Sequence, residues 1–375
     1  MSVIGNTALA LSEEQAMLMN VAQEFCRDKS PIGEVREQLA SETGFDAGLW
    51  QEIAQLGWAG IALPEAAGGS GLGVAALVPV LEAMGRAMLG TPLLTTSLAG
   101  QLIARAGNAE QTERLLPDLA TGTVATVALL DGGDWGADCL ELTLSADGVL
   151  QGGKKMVADA LVAQLFVVSV NQAGKPAVAV VRADQLSAGA VRSCTLIDET
   201  KRAANVDFSG VTVDDNNILD GASVAAALRD VRLLGALLIA AESTGTCGAC
   251  LDTIVEYLKT RKQFGKLIGS YQALKHPTVD ILIATDSSRS FIYHAATLVG
   301  DEALDEDAEI ACRMAKAHAS DALAYAGDRA VQFHGGMGFT YECDAQLYIR
   351  RAQWARQQYG DAQHHRKRLA SLLLG

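Results

Sequence analysis

Several short stretches of this chain carry residue types at spacings that could do chemistry. ARQQYGDAQHHRKRLA (355–370) places Asp361 three and four residues before His364 and His365. That spacing invites a metal or acid/base reading. No ligand cluster supports a metal, and adjacent histidines point in different directions on a helix, so no metal site is expected. YLKTRKQFGKLIGSYQALKH (257–276) runs from a helical pattern through a basic segment into an aromatic–glycine turn. Arg261 offers a planar five-donor fork suited to a pyrophosphate, and Phe264 a flat face for a ring. In QFHGGMGFTYE (332–342), Gly335, Gly336 and Gly338 let the backbone approach a ligand, and Gln332 supplies an amide. Taken singly these are weak signals, because a basic helix end already suits the helix dipole and a GGxG is commonly a turn.

Two other stretches read as structural. Cys247 and Cys250 form CGAC inside a long helical pattern, with no preceding strand and no second CxxC. They are expected to be small buried thiols rather than a redox or zinc pair. PEAAGGSGLGVAAL (64–77) has dinucleotide-type glycines but no βαβ context, so it reads as a glycine loop between helices.

The elements that must position these residues follow from periodicity and punctuation. SEEQAMLMNVAQEFCRD, FDAGLWQEIAQLGW, VAALVPVLEAMGRAML and AEQTERLLPDLATG repeat apolar positions at helical spacing, predicting a helical domain over 1–121. TVATVALLD, LFVVSVN, PAVAVVRA and NVDFSGVTVD are short Val- and Thr-rich runs split by Gly, Asp and Asn, predicting a β domain over 122–222. From 223 to 375 helices return, beginning with a pattern long enough for one helix of well over twenty residues. A chain of 375 residues suits two or three domains. A net charge of −14 disfavours nucleic acid and anionic membranes. The longest apolar run, LLGALLIAA, is short of the roughly 20 residues a membrane span needs. Without a basic leader, and with seven scattered cysteines, a reduced cytoplasmic protein is expected.

Together, and in this order, the motifs resemble the acyl-CoA dehydrogenase family over nearly the whole chain. LGWAGIALPEAAGGSGLG is similar to the family's GW-x-G-x-x-x-PE-x-x-GG-x-G segment. GGKKMVADALVAQ and VDFSGVTVDDNNILDG resemble segments of its β domain. RKQFGKLIGSYQ and QFHGGMGFTYE match its two C-terminal motifs. The resemblance implies an α+β fold with an N-terminal helical domain, a β-barrel-like middle and a C-terminal four-helix bundle. It implies FAD-dependent oxidation of an acyl-CoA to the 2,3-enoyl-CoA, with electrons leaving to an electron-transferring flavoprotein. A carboxylate base would take the Cα proton while donors hold the charge developing on the thioester oxygen.

In such proteins FAD lies between subunits. The motifs reaching its pyrophosphate and adenosine carry over well, to Arg261, Gln263, Phe264, Gln332, Gly335 and Gly336, with Gln272 as a further contact. The flavin-ring contacts do not. LLDGGDWGAD stands where the family writes TEPxxGSD, and KMVAD stands for KxWIT, so Val157 and Asp159 replace an aromatic and a hydroxyl. The base is missing too. Gly360 stands at the usual position, and Gly235, 26 residues before Arg261, at the alternative one, followed by Ala236. Asp361 is a weak candidate for a displaced base. Glu242, about 10 Å further along the helix, reads as structural. The expectation is one subunit of a heteromeric dehydrogenase of the steroid-side-chain type, whose homologous partner carries the base and the ring contacts. A self-sufficient homo-oligomer using Asp361 and a non-catalytic scaffold or binding subunit are the alternatives. The sequence does not specify acyl chain length.

Overall fold

The computed structural model describes residues 13–136, 140–221 and 223–375. The serine that opens SEEQAMLMNVAQEFCRD, and the end of the LLDGGDWGAD stretch, lie outside them. The N-terminal third contains α1 (Glu13–Lys29), α2 (Ile32–Leu39), α3 (Ala47–Gln55), α4 (Leu77–Arg86), α5 (Leu93–Ala106) and α6 (Ala109–Ala120). Local chemistry starts these helices where the sequence suggests. The Asp46 side chain accepts from the Gly48 and Leu49 N–H groups to cap α3. Asn108 and Gln111 form a reciprocal capping box on α6. The glycine-rich 68–73 segment is a loop leading into α4, with Gly68, Gly71 and Gly73 at positive φ.

The middle third holds β1 (Ala125–Ala128), β2 (Thr143–Leu144), β3 (Leu150–Gln151), β4 (Gly153–Ala158), β5 (Leu165–Gln172), β6 (Lys175–Arg182), β7 (Val191–Ser193), β8 (Ala203–Asp207) and β9 (Ile218–Leu219). Where the sequence predicts a barrel-like middle, these strands form two sheets and, among the described residues, no closed barrel. One is six-stranded, β3-β2-β5-β6-β9 with β1 parallel to β5; the other runs β4-β8-β7. Gly152, at φ +119°, turns the chain out of β3 and into β4, so consecutive strands enter different sheets. β5 and β6 are apolar on both faces because each face covers a different core. Val167, Val178 and Val180 pack with the helices, whereas Phe166, Val168, Ala179 and Val181 pack between the sheets.

The last third opens with α7 (Val224–Thr260), 37 residues and buried along most of its length. A short hairpin, β10 (Lys262–Gln263) and β11 (Lys266–Leu267), leads to α8 (Gln272–Leu298), α9 (Glu306–His334), α10 (Ala345–Gln357) and α11 (Ala362–Leu374). Cys247 and Cys250 sit in α7 with no exposed surface, and burial pushes the Cys247 thiol up to about 11. They are packing groups, as the sequence suggests. Among the described residues no helix is long and apolar enough to cross a membrane.

One buried ion cluster ties the middle third to the last, and a neighbouring arginine ties the middle third to the first. Arg351 of α10, wholly buried, donates to Asp198 (2.5 Å) and Thr200 of the β8 approach and to Glu242 of α7 (2.8 Å). Lys201 donates to the same Glu242 oxygen at 2.5 Å. Next to it, Arg202 hooks the carbonyls of Gln38, Leu39, Ser41 and Glu42 at and just past the end of α2. Removing one partner of such a cluster strands the other charges away from water. Arg351→Ala is therefore expected to cost about 3–5 kcal/mol, read as a lower midpoint in denaturant unfolding. A midpoint within error of the parent would mean the cluster is not holding the middle and last thirds together.

Candidate functional site

The residues expected to reach a nucleotide gather on an exposed edge at one end of the helical third. The backbone N–H of Arg261 still donates to the Tyr257 carbonyl (2.9 Å), ending α7. The hairpin then turns through Phe264 and Gly265, at φ +53° and +74°. A left-handed phenylalanine is strained by on the order of 1–3 kcal/mol, yet its ring is 89 % exposed. Gln263 sits on the same hairpin and Gln272 begins α8. Gln332 lies in the last turn of α9, with Gly335 and Gly336 just beyond it, all exposed. Tyr257 and His334 stack with ring centroids 4.1 Å apart and bring the two motifs side by side. A Cβ at Gly335 or Gly336 would meet nothing within 4 Å, so their surroundings are open; Gly338 is glycine for packing, since a Cβ there would fall 2.2 Å from the Val331 carbonyl oxygen.

The positions expected to hold the ring and the base converge elsewhere, around one side chain. Between α10 and α11 the backbone turns through Tyr359 and Gly360, at φ +56° and +97°. The Tyr359 ring lies against Gly235 of α7 so closely that a Cβ there would sit 2.6 Å from Cε1. The ring also meets Trp135 at 4.8 Å between centroids. A side chain at Gly360 would instead run into His364 Cδ2 at 2.6 Å, and would lie in a left-handed conformation. The side chain that converges with Gly235 is thus that of residue 359. A cleft of about 270 Å3, with Arg229, Arg313, Arg368 and His364 in its lining, has Tyr359 and Trp135 in its wall.

The turn carrying Tyr359 is anchored at each step. Lys316, fully buried on α9, donates to the Ala355 and Arg356 carbonyls (3.1 and 3.2 Å), closing the end of α10. Burial pulls this ammonium down to about 7. His365 donates from Nε2 to the Tyr359 carbonyl (3.0 Å). Its burial, with Lys316 and Arg313 nearby, pulls it down to about 3, so the ring is neutral. Asp361 caps α11, accepting from the His364 N–H at 2.7 Å. That capping bond engages the carboxylate that the sequence offers as a displaced base. Burial, with Asp159 beside it, raises the Tyr359 phenol, so it is no base at neutral pH.

Asp159, at φ +55°, completes this centre by accepting from the Thr95 hydroxyl at 2.7 Å. Desolvation lifts its carboxyl to about 6 against the pull of Thr95 and Lys201. Glu242 is committed to Arg351 and Lys201, as its structural reading requires. Among the described residues no group of three or more His, Cys, Asp or Glu side chains could hold a metal. Tyr359, Trp135 and Thr95 were not singled out by sequence reasoning. The available signal was Asp361, whose place before a helical run marks a cap and so fixes the turn one residue earlier.

Comparison with known proteins matches residues 12–123 to the acyl-CoA dehydrogenase N-terminal domain and 222–374 to its C-terminal domain. The chain is 30 % identical over 364 residues to acyl-CoA dehydrogenase IpdE2 of Mycolicibacterium smegmatis, covering 96 % of this chain and 98 % of that one. Among solved structures it is similar to a single-residue variant of the Tcur3481–Tcur3483 steroid acyl-CoA dehydrogenase: TM-score 0.85, 30 % identity, 96 % and 98 % of the two chains covered. It shares its fold with the ChsE4–ChsE5 complex of Mycobacterium tuberculosis: TM-score 0.86, 24 % identity, 98 % and 99 % covered.

The raised Asp159 carboxyl has a defined consequence for stability. In the folded chain it holds its proton up to about pH 6, against an ordinary 3.8. The folded state therefore binds more protons than the unfolded one between those values, and this group's contribution to stability falls as pH rises through them. His365, with its lowered value, acts in the opposite direction over the same range. The difference between parent and Asp159→Asn isolates the carboxylate. The variant is expected to gain on the order of 1–3 kcal/mol over the parent at pH 7 and little at pH 4, in urea titrations. An equal gap at both pH values would contradict the buried-carboxylate reading.

Proposed function

The chain belongs to the acyl-CoA dehydrogenase family, and from that premise we propose that it is the base-lacking chain of a heteromeric acyl-CoA dehydrogenase that completes the FAD site of a homologous catalytic partner. The observation that carries this reading is the opposite state of its two half-sites. The residues suited to the pyrophosphate and adenosine are exposed on an open edge, while the ring and base positions are filled by the chain's own side chains.

The outer half-site fits the cofactor. Arg261 presents a guanidinium to the diphosphate, Phe264 a ring face, and Gln263, Gln272 and Gln332 amides; Gly335 and Gly336 leave room for close backbone approach. The inner half-site does not fit. An ionised Asp159 has no proton to donate where the family offers a hydroxyl, and Tyr359 and Trp135 take up the space. No step of the reaction is assigned to this chain's own chamber. On this reading the partner supplies the base and the contacts that grip the ring, and FAD, when bound, supplies the hydride acceptor. This chain holds the far end of that cofactor.

The partnership is supported by the 30 %-identical solved relative, a steroid acyl-CoA dehydrogenase named for a pair of chains. The same relative supports a steroid-derived acyl-CoA as the substrate class. An electron-transferring flavoprotein is the proposed acceptor for the electrons. A self-sufficient enzyme based on Asp361 finds no support in that residue's geometry, because its carboxylate caps α11.

Purified alone, the chain is expected to be colourless and inactive; co-expressed with a homologous chain that carries the base, it should yield a yellow, acyl-CoA-bleachable assembly. Flavin and turnover in the isolated chain would contradict the proposal. Within the assembly, Arg261→Ala removes charge-assisted hydrogen bonds worth ~1.5–3 kcal/mol. FAD affinity, measured by flavin release, should fall tenfold or more. Undiminished FAD retention would remove Arg261 from the cofactor site.

A further inference from the structure

We propose that Tyr359 is a wedge that closes this chain's own reaction chamber to the flavin ring and the thioester, so that chemistry is confined to the partner's chamber. For the partner this rests on the two-chain reading above; the wedge itself is a property of this chain alone. Two glycines make it possible. Gly235 gives the ring its slot, since a Cβ there would lie 2.6, 2.7 and 2.8 Å from Cε1, Cζ and Cδ1 of Tyr359. Gly360 lets the chain turn where any other side chain would meet His364 and His365. The glycines at both expected base positions are therefore spacers, and what they make room for is the tyrosine.

The position of the ring has a chemical meaning. A base that reaches one substrate carbon from either α7 or the α10–α11 turn must reach one point in space. Residue 235 and the turn share such a point, and the Tyr359 ring lies at it. Trp135, on the segment expected to grip the flavin ring, packs against the Tyr359 ring. Asp159, where a hydroxyl would face the flavin, turns to Thr95. The ring-contact and base positions are thus filled by one interlocked group.

The wedge is fixed rather than swinging. Lys316 holds the end of α10, His365 holds the Tyr359 carbonyl, and Asp361 holds the start of α11. A tyrosine is kept in a left-handed conformation, which the side chain disfavours, because its surroundings leave it one place to go.

A double-mutant cycle tests the wedge in the isolated full chain. Gly235→Ala should lower the melting temperature by several degrees in the parent, where the ring must be displaced. It should be nearly silent in a Tyr359→Gly background, where no ring is present. Equal shifts in both backgrounds would overturn the wedge. Tyr359→Phe, which keeps the ring and loses only the hydroxyl, should melt with the parent, and a large loss there would also overturn it. Should Tyr359→Gly fail to fold, Tyr359→Leu takes its place in the cycle. Flavin counting on the assembly gives a second readout: one FAD per two chains is expected. An active two-chain assembly with one FAD per chain would overturn the wedge and leave the partnership standing. An isolated chain that binds FAD and turns over would overturn the partnership.

Discussion

Helices α4 and α7 touch backbone to backbone, and most of the architecture depends on that contact. A Cβ at Gly245 would sit 1.8 Å from the Glu82 carbonyl oxygen, and one at Gly85 would sit 2.0 Å from that of Glu242. The Thr246 hydroxyl donates to the Gly85 carbonyl at 2.8 Å across the same seam. Such an approach admits only glycine and fixes the axial register of both helices. With α7 so pinned, its 37 residues become a ruler. Gly235 is set beneath Tyr359 near one end, Glu242 meets Arg351 in the middle, and Arg261 emerges at the other end. Gly235 and Arg261 are placed by a packing contact that neither of them makes.

The two ends of that ruler obey different physics. At the Arg261 end, polar and aromatic groups are left in water with open space beside them, which suits a ligand arriving from outside. At the Gly235 end the interior is occupied, and its polar members bond to one another. Asp159 accepts a hydrogen bond from the Thr95 hydroxyl, and in the neighbouring cluster Lys201 and Arg351 share one oxygen of Glu242. Each satisfied partner raises the cost of inserting anything else, because a displaced buried charge would be left without its counter-ion. One chain can therefore be open at its edge and filled in its interior.

Much of this was legible in the sequence, for reasons that can be named. The helical periodicity of the first and last thirds and the Val/Thr runs between them are local patterns, and they map onto the observed elements. RKQFG and QFHGG each lie in one short stretch, so their composition survives translation into structure. What could not be read was long-range. That β5 and β6 face two different cores depends on which helices pack on them. That Arg351 is buried cannot be inferred from a basic helix, because its acidic partners lie 153 and 109 residues away. The missing carboxylates were visible as absences, whereas the ring between them was not, since Tyr359 meets Gly235 only once the chain has turned back on itself.

The exposed edge has a consequence of another kind. Phe264, Phe339, Met337 and Tyr341 are 89, 72, 59 and 58 % exposed, a density of bare apolar side chains that a solitary soluble protein rarely carries. Left uncovered, such an edge invites indiscriminate self-association. An uncovered copy is therefore prone to associate. The same side chains tie the amount of this polypeptide that can be safely made to the supply of whatever covers them.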